Sequence, residues 1–191
     1  MTQQLNRCCG CGMKVAAAYF AKFRYCEYLG KYFCSGCHKF QISSIPGRVL
    51  EKWDFALYPV SVFAYRWLDQ IWKLPLFRVI DLNAKLYEKV KQLSLARESR
   101  LQLKYLEDFI GSCRFAIEEQ AILQDLQDHW TEDVDIWSMN DFIDVKNNIF
   151  TTKIKTIIDH CADHLTKTQC EVRHSFIYLS KIQILIKKFY F

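Results

Sequence analysis

Hydrophobic residues recur at helical spacing over most of the chain. In two stripes, each apolar residue follows the previous one by three or four positions. The first stripe is Leu82, Leu86, Val90 and Leu93, and the second is Leu103, Leu106, Ile110, Cys113 and Ile117. One buried face of an α-helix requires this spacing. We therefore expect residues 81–125 to form one long helix, or two helices joined near Gly111 and Ser112, with Asp81 as the N-cap. Cys113 lies on the stripe and is expected in the core.

Another helix is predicted between Ser61, a suitable N-cap, and about Lys73, before Pro75 ends it. The inward positions are expected to be Val62, Trp67 or Leu68, and Ile71 or Trp72, so both tryptophans are expected to pack in the core.

A last helix is predicted after Thr151 or Thr152, either of which can act as the cap. Its apolar stripe consists of Ile154, Ile157, Ile158, Cys161 and Leu165.

The first 45 residues lack a helical pattern. Aromatic residues (Tyr25, Tyr28, Tyr32 and Phe33) surround Gly30-Lys31, a plausible turn between two short strands. The predicted fold is mainly α, with an N-terminal zinc-ribbon-like module of short β-strands packed on a helical body. The expected divisions are a zinc-binding module at 1–60, a helical body at 61–166 and a divergent tail at 167–191.

Six of the nine cysteines lie in the first 37 residues, where two Cys-x-x-Cys pairs occur. Two thiolates three residues apart can bind one ion, and a second pair about twenty residues later completes a tetrahedron. The spacing predicts structural zinc bound by Cys8, Cys11, Cys34 and Cys37, in preference to inert buried thiols. Three further candidates can replace a ligand or join a second ion: Cys9, Cys26 and His38. Of these, Cys9 is the expected bystander.

A second zinc site is a weaker possibility near the end of the chain. Its residues are Cys161, His164, Cys170 and His174. Their spacing does not match a familiar zinc motif, so it does not establish a site by itself.

The net charge of +5 is unevenly distributed along the chain. Residues 1–60 contain 8 Lys/Arg and 3 Asp/Glu, residues 114–145 contain 1 and 9, and residues 146–191 contain 8 and 3. Positive neighbours help to keep zinc-binding cysteines deprotonated. The acidic block, which includes Trp130 and Trp137, is expected to be a solvated face; the alternative is a partner surface with exposed tryptophans.

Several functional classes are disfavoured by the sequence. No signal-peptide-like run or transmembrane-length apolar segment is present, so the expected location is intracellular, where cysteines bind metal more often than they form disulfides. Four thiolates leave zinc no open position for water, and no nucleophile-base pair or phosphate loop is evident. The expected function is a non-enzymatic interaction module; the alternative is a basic zinc-ribbon protein that binds nucleic acid. A RING-type ubiquitin ligase is disfavoured, because eight ligands in the required order are absent from the first 38 residues.

Several segments resemble the Rubicon homology domain family, of the Rubicon and Pacer type. The matching segments are 24–34 (RYCEYLGKYFC) followed by Cys37-His38, 45–55 (IPGRVLEKWDF), 71–77 (IWKLPLF) and 81–90 (DLNAKLYEKV). The resemblance implies a zinc-stabilised helical scaffold that binds the GTP-loaded late-endosomal GTPase Rab seven and regulates autophagosome and endosome maturation. It also implies a cytoplasmic protein recruited to late endosomes or autophagosomes, without nucleic-acid binding. Tethering and lipid-kinase complexes would bind through other regions of family members.

The chain departs from the family pattern after Leu165. Family members continue with further Cys-x-x-Cys pairs, whereas Cys170 is the only cysteine in this part of the chain. The expectation is a truncated or altered family member whose second metal region is incomplete.

Overall fold

The computed structural model describes residues 4–14, 16 and 22–167. The chain divides into two compact units. The metal lobe is the chain up to Leu86 together with Ser138–Asn140, and the helical lobe is Tyr87–Trp137 together with the chain from Asp141. The sequence analysis placed the boundary between the first two domains at residue 60. In the structure, α2 (Val62–Ile71) belongs to the same compact unit as the cysteine-rich segment.

Short strands and helices alternate in the first half of the chain, and helices dominate the second. The strands are β1 (Arg24–Cys26), β2 (Lys31–Phe33), β3 (Gln41–Ser43), β4 (Tyr58–Val60), β5 (Phe77–Arg78) and β6 (Ile136–Trp137). The helices are α1 (Pro46–Lys52), α2 (Val62–Ile71), α3 (Val79–Asn83), α4 (Lys85–Lys89), α5 (Lys91–Gly111), α6 (Ile117–Gln124), α7 (His129–Glu132), α8 (Met139–Lys146) and α9 (Ile149–Lys167). The predicted fold class is confirmed.

The metal lobe contains two antiparallel ribbons. In the first, β1 pairs with β2 so that Tyr25 faces Tyr32, and Gly30 takes φ +64° in the turn between them. Glycine adopts this left-handed conformation without the steric cost of a Cβ atom. In the second ribbon, β3 pairs with β4 and Ile42 lies opposite Pro59. The hairpin predicted around Gly30 is therefore present.

Helix α2 begins where the sequence indicated. The Ser61 hydroxyl accepts a hydrogen bond of 3.3 Å from the backbone N–H of Ala64, which caps the helix. Leu68 and Ile71 are buried. The prediction that both tryptophans pack in the core is wrong for Trp67, which is 52% exposed because Leu68 occupies the inward position one residue later.

The predicted long helix is interrupted at its start. Asp81 lies in the first turn of α3 and pairs with Arg78 at 2.8 Å, so it does not cap a long helix. Val90 has extended backbone angles that separate α4 from α5. Near Gly111 and Ser112 the expected break is present, since α5 ends at Gly111 and five residues separate it from the start of α6 at Ile117.

The helical lobe is built mainly on the packing of α5 against α9. Helix α9 follows Asn148, which has φ +59°, and Thr152 donates its hydroxyl back to the Asn148 carbonyl at 2.8 Å. Neither predicted threonine is therefore the cap. The predicted stripe of α9 is buried at Ile154, Ile157 and Cys161.

Within the described residues, no helix combines the length and apolar character needed to cross a bilayer.

Candidate metal centre

A tight loop carries Cys8 and Cys11. An antiparallel bridge between Arg7 and Lys14 closes it, and the N–H of Cys8 donates to the carbonyl of Met13 at 2.9 Å. Gly12 takes φ +74° in the loop and donates its N–H to the Cys8 carbonyl at 3.0 Å. This turn brings both thiols of the pair to the same side.

The second loop follows β2 directly and carries Cys34 and Cys37. The Cys34 carbonyl accepts hydrogen bonds of 3.0 Å from the N–H groups of both Cys37 and His38. The Cys37 carbonyl accepts from the N–H of Val62 at 3.0 Å. The first turn of α2 is therefore fixed to this loop.

Backbone pairing joins the two loops. Gln4 uses its side-chain amide to bond both the N–H and the carbonyl of Tyr32, at 2.8 and 3.1 Å. Cys9 donates its N–H to the same carbonyl at 3.1 Å. The sequence analysis missed this role of Gln4, since nothing in a single glutamine indicates that it will pair with a strand 28 residues away.

The four predicted sulfur atoms form one cluster. The Sγ atoms of Cys8, Cys11, Cys34 and Cys37 all lie within 4.8 Å of one another. The Cys11 and Cys34 sulfurs are 3.8 Å apart, and sulfurs at the corners of a tetrahedral zinc site with bonds of about 2.3 Å are separated by about 3.8 Å. The cluster therefore has the size and the donor set that fit a divalent zinc ion.

Close packing leaves no room for a side chain at position 10, within the first loop. A Cβ atom at Gly10 would lie 2.9 Å from the Cys37 sulfur and 3.1 Å from the Phe63 ring. Glycine at this position is therefore a requirement of the close approach between the two loops.

Burial and hydrogen bonding give the cysteines of the cluster different pKa values. Burial disfavours the Cys8 thiolate, but N–H groups of Cys34 and Gly10 approach its sulfur to 3.2 and 3.4 Å, and backbone hydrogen bonds of this kind lower the pKa of Cys8 to about 7. Burial and the neighbouring thiols raise the pKa of Cys37 to about 12. Without a cation, the cluster favours one thiolate and resists a second.

Cys26 and His38 have other partners. Cys26 is fully buried and its sulfur accepts the N–H of Ser61 at 3.2 Å. The His38 ring bridges the Tyr25 carbonyl, 3.2 Å from Nε2, and the Phe40 N–H, 3.3 Å from Nδ1. Burial, with the charge of Arg24 also contributing, lowers the pKa of His38, so the ring is neutral at pH 7. Both residues hold the ribbon segments in place, and neither belongs to the four-sulfur cluster.

The second candidate set lies partly outside the described residues, which end before Cys170 and His174. His164 Nε2 is 3.5 Å from the sulfur of Cys113, and its Nδ1 is 3.3 Å from a Glu119 oxygen. Cys161 is fully buried, and burial raises its pKa to about 11. Among the described residues, the one group of three or more close ligand atoms is the four-cysteine cluster.

Known proteins match most of this chain. A family model described as the Rubicon Homology Domain matches residues 24–178, a range that includes Cys34 and Cys37 and begins after Cys8 and Cys11. The Bos taurus protein named "Protein associated with UVRAG as autophagy enhancer" is 38% identical over 165 residues, covering 86% of this chain and 25% of that protein. The Homo sapiens protein of the same name is 35% identical over 158 residues, or 83% of this chain and 24% of its own length.

A third relative has a different name. The Mus musculus "Run domain Beclin-1-interacting and cysteine-rich domain-containing protein" is 38% identical over 167 residues, covering 87% of this chain and 18% of that protein. The chain thus spans about a quarter or less of the length of these curated relatives. Because the family model matches well over half of its residues, the chain belongs to the Rubicon homology domain family.

Proposed function

We propose that this chain is a zinc-stabilised, non-enzymatic interaction module that binds a GTP-loaded late-endosomal Rab GTPase and regulates autophagosome and endosome maturation. The observation that carries the proposal is the family match over residues 24–178. The names of the relatives, which refer to autophagy and to association with UVRAG or Beclin-1, support a role in the same process. The module would act in the cytoplasm, recruited to late endosomes or autophagosomes. We expect tethering and lipid-kinase complexes to bind other parts of such longer relatives.

The metal in this proposal is zinc, with Cys8, Cys11, Cys34 and Cys37 as ligands. Support comes from the sulfur spacing, the all-thiolate donor set and the N–H groups directed at Cys8. Bound zinc would supply a structural cross-link between the two loops. The protein's own contribution is to hold the loops together through Tyr32 and to compensate thiolate charge through backbone donors.

Zinc binding should release at least two protons at pH 7. A backbone hydrogen bond near Met13 favours the Cys11 thiolate, but contacts with the Cys8 and Cys34 thiols raise the pKa of Cys11, and that of Cys37 is about 12. Both thiols are protonated at pH 7, and zinc binds only thiolates, so affinity should fall by at least about a hundredfold per pH unit as the pH decreases. Calorimetric titration in buffers of different ionisation enthalpy counts the protons. The Cys9→Ser variant should release the same number, and release of fewer than about two protons would contradict this ligand set.

Helix α2 supplies a suitable surface for the GTPase. Phe63 and Trp67 lie four residues apart on this helix and are 55% and 52% exposed. The helix is fixed at its start by Cys37 and Ser61, both within the metal lobe. Rigid aromatic side chains are common anchors of protein interfaces. We therefore assign the GTPase contact to this face of α2.

Binding of the purified chain to Rab seven tests the function. The expected result is a higher affinity for the form loaded with a GTP analogue than for the GDP form, and a loss of about tenfold or more in Trp67→Ala. The matched control is Tyr105→Ala, which truncates an exposed aromatic residue of α5 and should leave the affinity unchanged. Equal binding of both nucleotide forms, or no binding by a zinc-loaded and folded sample, would refute the proposal.

A further inference from the structure

Phe40 has an unusual conformation for a large aromatic residue. It has φ +62°, and its side chain is 68% exposed. A bulky side chain in the left-handed region is strained, and such strain persists only where surrounding contacts impose it. Here the Phe40 N–H donates to His38 Nδ1 at 3.3 Å, three residues after Cys37. The ring is thus presented to solvent by a constrained turn next to the metal cluster.

Arg24 fixes the orientation of this ring. Its guanidinium carbon lies 3.5 Å from the centroid of the Phe40 ring, and its Nη1 donates to the His38 carbonyl. The arginine thereby covers one face of the ring with a positive charge. The exposed tip therefore combines a hydrocarbon ring with a cation held in a fixed position.

The ribbon that begins at Gln41, directly after Phe40, also exposes apolar side chains. Ile42 is 50% exposed on β3, and Pro59, also exposed, lies opposite it on β4. A ribbon normally directs its apolar positions inward and its polar positions to solvent. In β3 the order is reversed, since Gln41 and Ser43 are less exposed than Ile42. We call Phe40, Ile42 and Pro59 the Phe40 patch.

Basic residues outnumber acidic ones in the segment that carries this patch. Residues 1–60 contain three acidic residues: Glu27, which pairs with Arg48 at 3.1 Å, Asp54, which accepts a hydrogen bond from the Tyr58 hydroxyl at 2.6 Å, and Glu51. The eight basic residues are Arg7, Lys14, Lys22, Arg24, Lys31, Lys39, Arg48 and Lys52. The net charge of this segment is therefore +5, and a zinc ion with four thiolates, itself −2, would still leave +3. A partner of the Phe40 patch should be anionic and should accept hydrocarbon.

We propose that the Phe40 patch docks on the surface of an anionic phospholipid bilayer, with the Phe40 ring inserted among the headgroups and with Lys39 and Arg24 close to the lipid phosphates. An aromatic ring beside basic side chains is suited to the interface between headgroups and acyl chains. This contact is separate from the α2 face assigned to the GTPase and does not require it.

Nucleic acid is less well matched to this patch. Base stacking uses an open aromatic face, whereas Arg24 covers one face of the Phe40 ring and the His38 ring lies 6.4 Å away in an edge arrangement. Ile42 and Pro59 offer neither a stacking plane nor a side-chain hydrogen bond. A bilayer interface makes use of all three apolar side chains.

Sedimentation of the full chain with vesicles tests the proposal, using phosphatidylcholine alone or with about a third phosphatidylserine. Phe40→Asn removes the ring and places at this position a residue that tolerates positive φ, so the fold should be retained. We expect binding to the anionic vesicles only, weakened about tenfold in Phe40→Asn. Lys39→Gln should weaken it about fivefold, and added salt should weaken it further.

The matched control is Phe115→Asn in the helical lobe. Phe115 is 53% exposed and has the Arg114 guanidinium 4.9 Å from its ring, but it precedes an acidic part of the chain. This variant should bind vesicles like the wild type. The proposal is overturned if Phe40→Asn, with zinc content and circular dichroism unchanged, binds as well as the wild type, or if Phe115→Asn is equally weakened. It is also overturned if single-stranded oligonucleotides, and no vesicles, bind in a Phe40-dependent manner.

Discussion

Replacing Cys34 with serine should release the metal and unfold the metal lobe while the helical lobe stays folded. Cys34 contributes a sulfur to the cluster, an N–H to the Cys8 sulfur and a carbonyl that closes its own loop. Structural zinc sites contribute an apparent free energy of about 10–16 kcal/mol to folding. The hydrocarbon core of this lobe is small, formed by residues such as Phe33, Val60, Leu68 and Ile71, so it is not expected to replace a lost metal.

Two measurements check this expectation. Elemental analysis should find less zinc per chain than in the wild type, and hydrogen exchange should show loss of amide protection in β1, β2 and α2, with α5 and α9 still protected. The matched control is Cys9→Ser. Cys9 lies in the same loop as the proposed ligands Cys8 and Cys11, but it is exposed and is outside the four-sulfur cluster. A Cys34→Ser variant that keeps its zinc and its protection pattern would show that Cys34 is not a structural ligand.

Local patterns explain why much of the metal lobe could be predicted from the sequence. The Cys-x-x-Cys pairs place two sulfurs on one loop through covalent geometry alone, and Gly12 and Gly30 supply the positive φ angles that the turns need. Ser61 caps α2 through a hydrogen bond to a residue only three positions away. These features depend on near neighbours, which periodicity and spacing reveal.

Contacts between distant residues explain what the sequence did not reveal. Cys26 and His38 have the chemistry of zinc ligands, but Ser61 and Tyr25 occupy their polar atoms. Trp67 and Leu68 are adjacent, and only the packing of α2 against the rest of its lobe decides which of them faces inward. The local pattern of apolar residues left this choice open. Nor does any spacing indicate that Cys113 will lie beside His164, 51 residues later.

The acidic segment shows the same limit most clearly. The sequence predicted either a solvated acidic face or exposed tryptophans, and both alternatives are wrong for the residues at its centre. Trp130 and Trp137 are buried, and so are Asp135 and Asp141. Arg97, from α5, binds Asp135 through two hydrogen bonds of 2.7 and 3.1 Å. The carboxylates could be buried because α5 supplies the compensating arginines from about 40 residues earlier in the chain.

Asp141 and Arg100 form the most buried ion pair described in the helical lobe. Both side chains are essentially inaccessible, and Arg100 Nη2 lies 3.2 Å from an Asp141 oxygen. Arg100 also stacks 3.6 Å from the centroid of Trp137 and donates to the Ile136 carbonyl at 2.5 Å. Burial lowers the pKa of Arg100 to about 10, which still leaves it charged at pH 7. The charge is therefore retained in a place where water cannot solvate it.

Asp141→Asn should accordingly destabilise the helical lobe by about 3–5 kcal/mol, because the change leaves the buried charge of Arg100 without its counter-ion. Asparagine keeps an oxygen that can accept the Trp130 indole N–H, which lies 3.1 Å from Asp141 Oδ1. Its amide nitrogen replaces Oδ2, which is 2.8 Å from His129 Nε2, so the loss combines the missing charge with this one contact. The free energy of unfolding can be read from hydrogen exchange of the α5 amides under mild denaturant.

The double variant Arg100→Met/Asp141→Asn distinguishes an ion pair from a packing effect. Removing both charges eliminates the unpaired cation, so the double variant should be more stable than Asp141→Asn alone, although the carbonyl of Ile136 loses its donor. Asp81→Asn is the matched control, since its partner Arg78 is also within ion-pair distance but both side chains are about half exposed; it should cost less than about 1 kcal/mol. The losses of stability in Arg100→Met alone and in Asp141→Asn alone should not add up to the loss in the double variant. If they do add, the Arg100 charge does not depend on Asp141, and aromatic stacking alone accounts for the burial of the arginine.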